Sequence, residues 1–292
     1  MPSAPLHLLI ADAASPAGEG GWPALDALLA RMRPAGGIEA EDGCPATPLE
    51  IALARAHHLP GEPGRVPWAA FESGIVGTPC AWLRPCHWQL GMDHARLMGG
   101  DELALTEAES RALLAAAQPL LADDGVTIGY AQPGAWLARG ELLRGLRVWS
   151  LRRALQHPST GSRRGPVMRD MLPQAPARLR RLQSELEMLL HDHPVNAARE
   201  NAGRPTVNAL WIDGAGALDA LPPPNARVLI EPALPGDGGL AQLRRALDGG
   251  DDARLTLCGP RRALAFAPAR GLRDKISNLF SPQRFRSLRD KL

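Results

Sequence analysis

The chain reads as an α/β protein, with a mostly parallel or mixed sheet flanked by helices. Three observations predict this. Short apolar runs bounded by turn residues recur along its 292 residues, and segments with helical periodicity alternate with those runs in both halves. The third is composition: 28 Pro and 30 Gly, well above ordinary usage, favour many short elements over a long-helix bundle.

In order, "LHLLIA" (6–11) predicts a buried strand ended by Asp12. A Gly/Pro turn follows, then a helix near Pro23 to Arg33 with Leu25, Leu28, Leu29 and Met32 on one face, and "GGIEAEDGCPA" reads as a loop. Thr47-Pro48-Leu49-Glu50 combines a cap residue, Pro at the first helical position and Glu three after the cap, so a helix should run to about His57. Residues 60–80 are turn-rich, and "CAWLRPCHWQLGMDHARLM" holds one or two short strands. Thr106 to Glu109 forms a second capping box and opens a helix to about Leu121, and "GVTIGY" is a strand. Residues 132–175 are ambiguous, with "HPSTGSRRGP" a candidate insertion. Pro176 to His191 is the clearest helix, its apolar face made by Leu179, Leu182, Leu186, Leu189 and Leu190. "TVNALWI" and "ARVLIE" are strands, "GLAQLRRALD" a helix, and "ARLTLC" a strand followed by "ALAFA". One domain is expected over 1–268, with a flexible insertion at 157–175 and a basic amphipathic tail at 269–292.

Composition excludes several classes. The net charge of +2 gives no global reason to expect nucleic acid. No apolar run approaches the roughly 18 residues of a membrane span, and the start lacks a basic region before its short apolar run. Four Cys in a chain this long do not make a disulfide framework, so reduced thiols and a cytoplasmic location are expected.

Five stretches hold chemistry-bearing residues. Cys80, Cys86, His87, Asp93 and His94 are metal-ligand types, but the spacing is wrong for structural zinc, and local hydrogen bonding or a ligand pocket serves as well. Asp12, at the carboxyl end of the first strand, sits where α/β sheets bind ligands, or caps its turn. "GSRRGP" lacks the Gly-Lys-Ser/Thr ending of a phosphate loop. The tail "RGLRDKISNLFSPQRFRSLRDKL" carries stripes of Leu272, Ile276 and Leu279, then Phe285, Leu288 and Leu292. It reads as a membrane-surface or partner helix, or as a helix docked on its own domain. Finally, "HDHPVNAARENAGRPTVNALWIDGAG" (191–216) collects His191, His193, Arg199, Arg204 and glycines around a strand. It is either a phosphate or carboxylate site or a helix-loop-strand connection, with Pro194 stopping the helix and Asn196 and Asn208 bonding locally.

That block resembles one in the archaeal-type, cofactor-independent phosphoglycerate mutases of the alkaline phosphatase superfamily. The matching positions are His193, Pro194, Val195, Asn196, Arg199, Gly203, Pro205, Asn208, Trp211, Gly214 and Gly216. Arg204 replaces the family's Lys, and Asp213 its second aromatic. Over nearly the whole chain, "TPLEIALARAHHLPGEPGRVPWAA", "PCHWQLGMDHARL", "LRRLQSELEMLLHDHPVNAAR" and "LTLCG" resemble the proteobacterial RpfE-type regulatory proteins. The first resemblance implies a phosphoglycerate-mutase-like fold and, in active members, two metals on Asp and His ligands beside a Ser or Thr nucleophile. The chain departs from that pattern: no histidine follows His193, and "IADAASP" has Asp12 without the expected Asp-Gly.

The expectation is a non-catalytic regulatory or ligand-sensing protein with no catalytic residues and no cofactor. It would bind a phosphorylated small molecule at His193, Asn196, Arg199, Arg204, Asn208, Trp211, Gly214 and Gly216. The first alternative is a metal-dependent phosphoryl-transfer enzyme, needing Mn or Mg, with Asp12, His87, Asp93, His94 and His193 gathered in one cleft. The second is an interaction protein that meets a protein partner or membrane surface through residues 270–292.

Overall fold

Strand β1 (Leu6–Asp12) alternates Leu6, Leu8 and Ile10 on one face with His7, Leu9 and Ala11 on the other, and both faces are covered. In the computed structural model, which describes residues 5–15, 22–90, 95–156, 175–223, 227–233, 237–271 and 284–292, it lies inside a five-stranded mixed sheet. The neighbours of β1 are β8 (Arg227–Ala233) and β9 (Ala253–Cys258), both parallel to it. Beyond β9 come β10 (Arg262–Pro268) and β2 (Met32–Glu39), each antiparallel to the strand before it. On the first face pack α1 (Pro23–Leu29), α8 (Asp237–Asp248) and α9 (Phe285–Arg289), through a core that includes Leu25, Leu29, Leu243, Leu255, Phe266, Phe285 and Leu288. On the second face lies α2 (Pro48–Ala56), where Leu49 and Ala52 meet Leu9, Cys258 and Ala263. These elements belong to one compact unit, made of residues 1–43, 47–59 and 222–292.

The second unit, residues 44–46 and 60–221, is built on an antiparallel sheet. Its spine is the eleven-residue β3 (Cys80–Leu90), which pairs with β4 (Ala95–Gly99), β6 (Ala135–Arg139) and β7 (Ala209–Gly216); β5 (Thr127–Gln132) extends it beyond β6. Helices α4 (Glu107–Asp123) and α6 (Ala177–His191) cover one face, burying Leu113, Leu121, Leu182, Leu186 and Leu190 around Trp136. Each such side chain contributes about 1.5–3 kcal/mol by leaving water. Trp136 is fully buried, and its indole N–H donates to Ser110 Oγ at 2.9 Å, which satisfies the one polar atom it carries inward. The short helices α3 (Trp68–Ser73), α5 (Leu151–Gln156) and α7 (Pro194–Asn201) complete the unit.

The α/β expectation holds, with two sheets flanked by helices. Both capping boxes are present, Thr47 accepting from the Glu50 amide and Thr106 from the Glu109 amide. Three local readings are corrected. The helix begun at Pro23 ends at Leu29, and "MRPAGGIE" is an edge strand where a helix end and loop were expected. Backbone pairing with β10 supplies its hydrogen bonds whatever its side chains, and an edge tolerates Pro and Gly. A helix, α3, interrupts the turn-rich stretch 60–80. Pro194 does not only stop α6: it starts α7, as the first residue after a His193 cap.

The tail stripe Phe285–Leu288–Leu292 packs onto the first unit's own core, and the Phe285 amide donates to Asp26 Oδ1 at 2.7 Å. The other stripe, Leu272 to Leu279, and all but the last residue of the expected insertion at 157–175 lie outside the described residues. Among the described residues no helix is long and apolar enough to cross a membrane.

Candidate functional site

The block at 191–216 makes the corner where α6 turns through α7 into β7, and its buried polar side chains, Asn196 and Arg199, have partners inside the chain. His193 caps α7, its Nδ1 accepting from the Val195 amide at 3.2 Å. Asn196, 3% exposed, donates to the carbonyls of Leu190 and Val207 at 2.7 and 2.6 Å and accepts from the Val207 amide at 2.7 Å, so one amide group ties the end of α6 to the approach of β7. Asn208 does the same for β3, accepting from the Trp88 amide at 2.7 Å and donating to the Trp88 carbonyl at 2.8 Å. Trp211 Nε1 donates to the Trp149 carbonyl at 2.9 Å.

Arg199 is the keystone. Its side chain is 0% exposed, and each nitrogen donates to a separate partner: Nε to the Pro205 carbonyl at 2.7 Å, Nη1 to Glu109 Oε2 at 3.0 Å and Nη2 to the Leu103 carbonyl at 2.5 Å. Arg204, on the surface, donates to the other oxygen of Glu109 at 2.8 Å. Glu109 is also the capping-box residue of α4. Burial alone would raise its pKa, but the Thr106 amide and hydroxyl together with Arg199 hold it below the ordinary carboxylate range. The predicted arginine clamp exists, and it closes on a glutamate of the same chain. With a bond from each of its three nitrogens and no exposed surface, this guanidinium is tied to acceptors of its own chain.

The glycines have a packing role too. Gly214 has φ +60°, and a Cβ there would sit 2.7 Å from the Trp68 Cβ; at Gly216 it would sit 2.9 Å from the Pro67 Cβ. Both let α3 lie directly on β7. Beside them Asp213 accepts from Arg84 Nε at 2.8 Å; burial pushes its carboxyl up against the pull of that guanidinium.

Of the second predicted cluster, one described member belongs to each unit. Asp12 belongs to the first unit and accepts from the Ser15 amide at 3.1 Å, a turn cap. His87 belongs to the second unit, with Nδ1 2.8 Å from the Thr206 carbonyl oxygen. Asp93 and His94 lie outside the described residues. Cys80 and Cys86 are buried free thiols, and burial pushes Cys86 up to about 12, far from a reactive thiolate. Among the described residues no three His, Cys, Asp or Glu side chains are grouped to hold a metal.

A different site emerges in the first unit. Helix α2 is too short to cover its face of the sheet, and where it ends a pocket of about 190 Å³ opens. The floor is small, made by Gly36, Ala263 and Ala265 of β2 and β10. The polar lining is His7 of β1, Arg254 and Thr256 of β9, and Arg55 from the last turn of α2. Strand register accounts for the grouping. His7 is level with Arg254 on the neighbouring parallel strand, and Thr256, two residues on, faces the same way. His7 Nε2 lies 2.8 Å from the Thr256 hydroxyl. Burial, then the positive charges of Arg254 and His57, push the His7 pKa down to about 4, so the ring is neutral at ordinary pH. None of these four polar residues was singled out from the sequence. The available signal was the alternation in "ARLTLC" and the lone polar residue in "LHLLIA", which place Arg, Thr and His on one face of otherwise apolar strands.

No protein-family model and no curated protein matches the chain. Among solved structures, it is similar to the cofactor-independent phosphoglycerate mutase from Thermoplasma acidophilum, at 12% identity and a TM-score of 0.35, covering 92% of this chain and 90% of that one. It is also similar to a protein from Pyrococcus horikoshii, at 12% identity and a TM-score of 0.36, covering 94% and 92%. Likenesses of that grade fix neither an activity nor a ligand.

Proposed function

We propose that this protein is a non-catalytic regulatory protein that senses a small molecule, and that the pocket at the end of α2 receives it. The observation that carries the reading is the pocket itself: a concave, largely apolar recess into which a few polar side chains converge. Its volume of about 190 Å³ is below the ~300–1,000 Å³ of drug-sized sites, which suits a compact metabolite.

The chemistry of the lining favours binding over turnover. A histidine whose pKa is near 4 is a weak base at neutral pH, and the hydroxyl it meets belongs to Thr256, only 2% exposed and poorly presented as a nucleophile. The resemblance to RpfE-type regulators supports the regulatory half of the reading. The mutase-like block at 191–216 supplies architecture, because its arginine and asparagines are occupied within the chain.

The test is a fragment screen by thermal shift on the intact chain and on Ala265→Leu, which fills the floor. Compounds that stabilise the native chain and lose that effect in the variant support the pocket. Hits indifferent to Ala265→Leu remove the pocket from the reading, and turnover of a phosphoester by the purified protein would replace it with the phosphoryl-transfer alternative.

A further inference from the structure

The charge of the pocket says more than its shape. Its lining includes two arginines and one histidine and no acidic side chain. Some arginines of the first unit find carboxylates, Arg31 meeting Asp248 at 2.7 Å, Arg262 meeting Glu39 at 2.6 Å and Arg261 pairing with Asp42, whereas others, such as Arg227 and Arg245, stand in water. Arg55 and Arg254 have no ion-pair partner among the described residues. Arg55 lies in the last turn of α2, where a cation also complements the helix dipole. Arg254, exposed on β9, lies level with His7 of β1, so its charge stands at the rim of the same recess.

Resting on the preceding reading of the pocket, we propose that its ligand is a small organic anion, with an oxyanion group held between Arg55 and Arg254 and an apolar body against Ala52, Ala265 and Gly36. Guanidinium groups bind carboxylate and phosphate oxygens through paired N–H donors, and they do so best beside low-dielectric walls. The alanines and glycines of the floor give a flat apolar surface that an inorganic ion would not use. His7 fits the same picture. Kept neutral by burial and by the neighbouring positive charge, it adds no cation of its own and offers hydrogen bonding through the ring nitrogen not engaged with Thr256. A cationic ligand would meet two uncompensated arginines, and a neutral one would leave them as they are.

Benzoate, phenyl phosphate, benzamide and benzylammonium make a matched set: one ring with a carboxylate, a phosphate, a neutral group of carboxylate shape, or a cation. Each is titrated into the full-length ¹⁵N-labelled protein while the Gly36 and Gly37 amides are followed. Benzoate or phenyl phosphate should bind at least tenfold more tightly than benzamide, and benzylammonium should not bind. The preferred anion identifies carboxylate or phosphate as the natural group. Arg254→Gln and Arg55→Gln, both at exposed positions, should each weaken the preferred anion about tenfold and leave benzamide unchanged. Benzamide binding as well as benzoate, with both lost in Ala265→Leu, overturns the anion assignment and leaves the pocket standing. No perturbation of Gly36 and Gly37 by any of the four overturns the pocket as well.

Discussion

Arg199→Ala should destabilise the second unit by about 3–5 kcal/mol, the range for removing one partner of a buried charged pair. The figure follows from what the guanidinium leaves behind. Two carbonyls, Pro205 and Leu103, lose their donors, at about 1–3 kcal/mol for each group left buried and unsatisfied. Glu109 keeps Arg204 and the Thr106 amide and hydroxyl, so its charge is not stranded and the total stays within that range. Arg204→Ala removes the exposed half of the same clamp and should cost only about 0–1 kcal/mol. Urea unfolding followed by tryptophan fluorescence reads the difference. Of seven Trp, Trp22 lies in the first unit, so a Trp22→Phe background leaves six reporters, all in the second. Equal costs for the two variants, both within about 1 kcal/mol of the parent, would refute the reasoning. Arg199 would then not be a structural tie, and the phosphate-clamp reading would return.

Four further outcomes follow. The His7 pKa is lowered on folding, so the unfolded chain takes up the proton first. Stability is fully present above the ordinary value near 6.5 and should fall as pH drops toward 4, by up to about 3 kcal/mol; His7→Gln should flatten that slope in pH-dependent urea midpoints read from Trp22. Glu109 is shifted the same way from a lower starting point: its contribution is present above the ordinary carboxylate range and lost as pH falls below it, and Glu109→Gln should remove that acid sensitivity in circular-dichroism acid titrations. Gly214→Ala combines a left-handed backbone with a 2.7 Å clash against Trp68 Cβ and should cost about 2 kcal/mol or more by denaturant melt, while Gly203→Ala, left-handed but with open space around it, should cost less. Thr47→Ala removes a capping box and should cost about 1 kcal/mol, seen as faster amide exchange in the first turn of α2.

Much of the fold was legible because the signals were local. Capping boxes, the leucine stripe of α6 and the apolar run of β1 each state their structure within a dozen residues. The misread segments depend on partners far away. "MRPAGGIE" becomes a strand only because β10 pairs with it from more than two hundred residues on. Pro194 was read as a stop signal alone, although a histidine before it serves as a cap whose acceptor is a ring nitrogen. The site followed the same rule. Arg199, Asn196 and Asn208 stood out by residue type, but their partners, Glu109, Leu103 and Trp88, lie in other elements, and only the partners distinguish a binding site from an internal tie. His7, Arg55, Arg254 and Thr256 come from three elements that only strand register and helix packing bring together.

The interleaving of the two units also sets a schedule. The strands that flank β1 on both sides, β8 and β9, come after residue 226, whereas the second unit has all its residues by Leu221. During synthesis the second unit can close while residues 1–43 and 47–59 of the first, with "LHLLI" among them, wait without neighbours for β1. A nascent chain arrested after Leu221 therefore presents a bare apolar segment to whatever is nearby, and the pocket beside α2, whose lining includes residues of β10, is among the last features of the molecule to form.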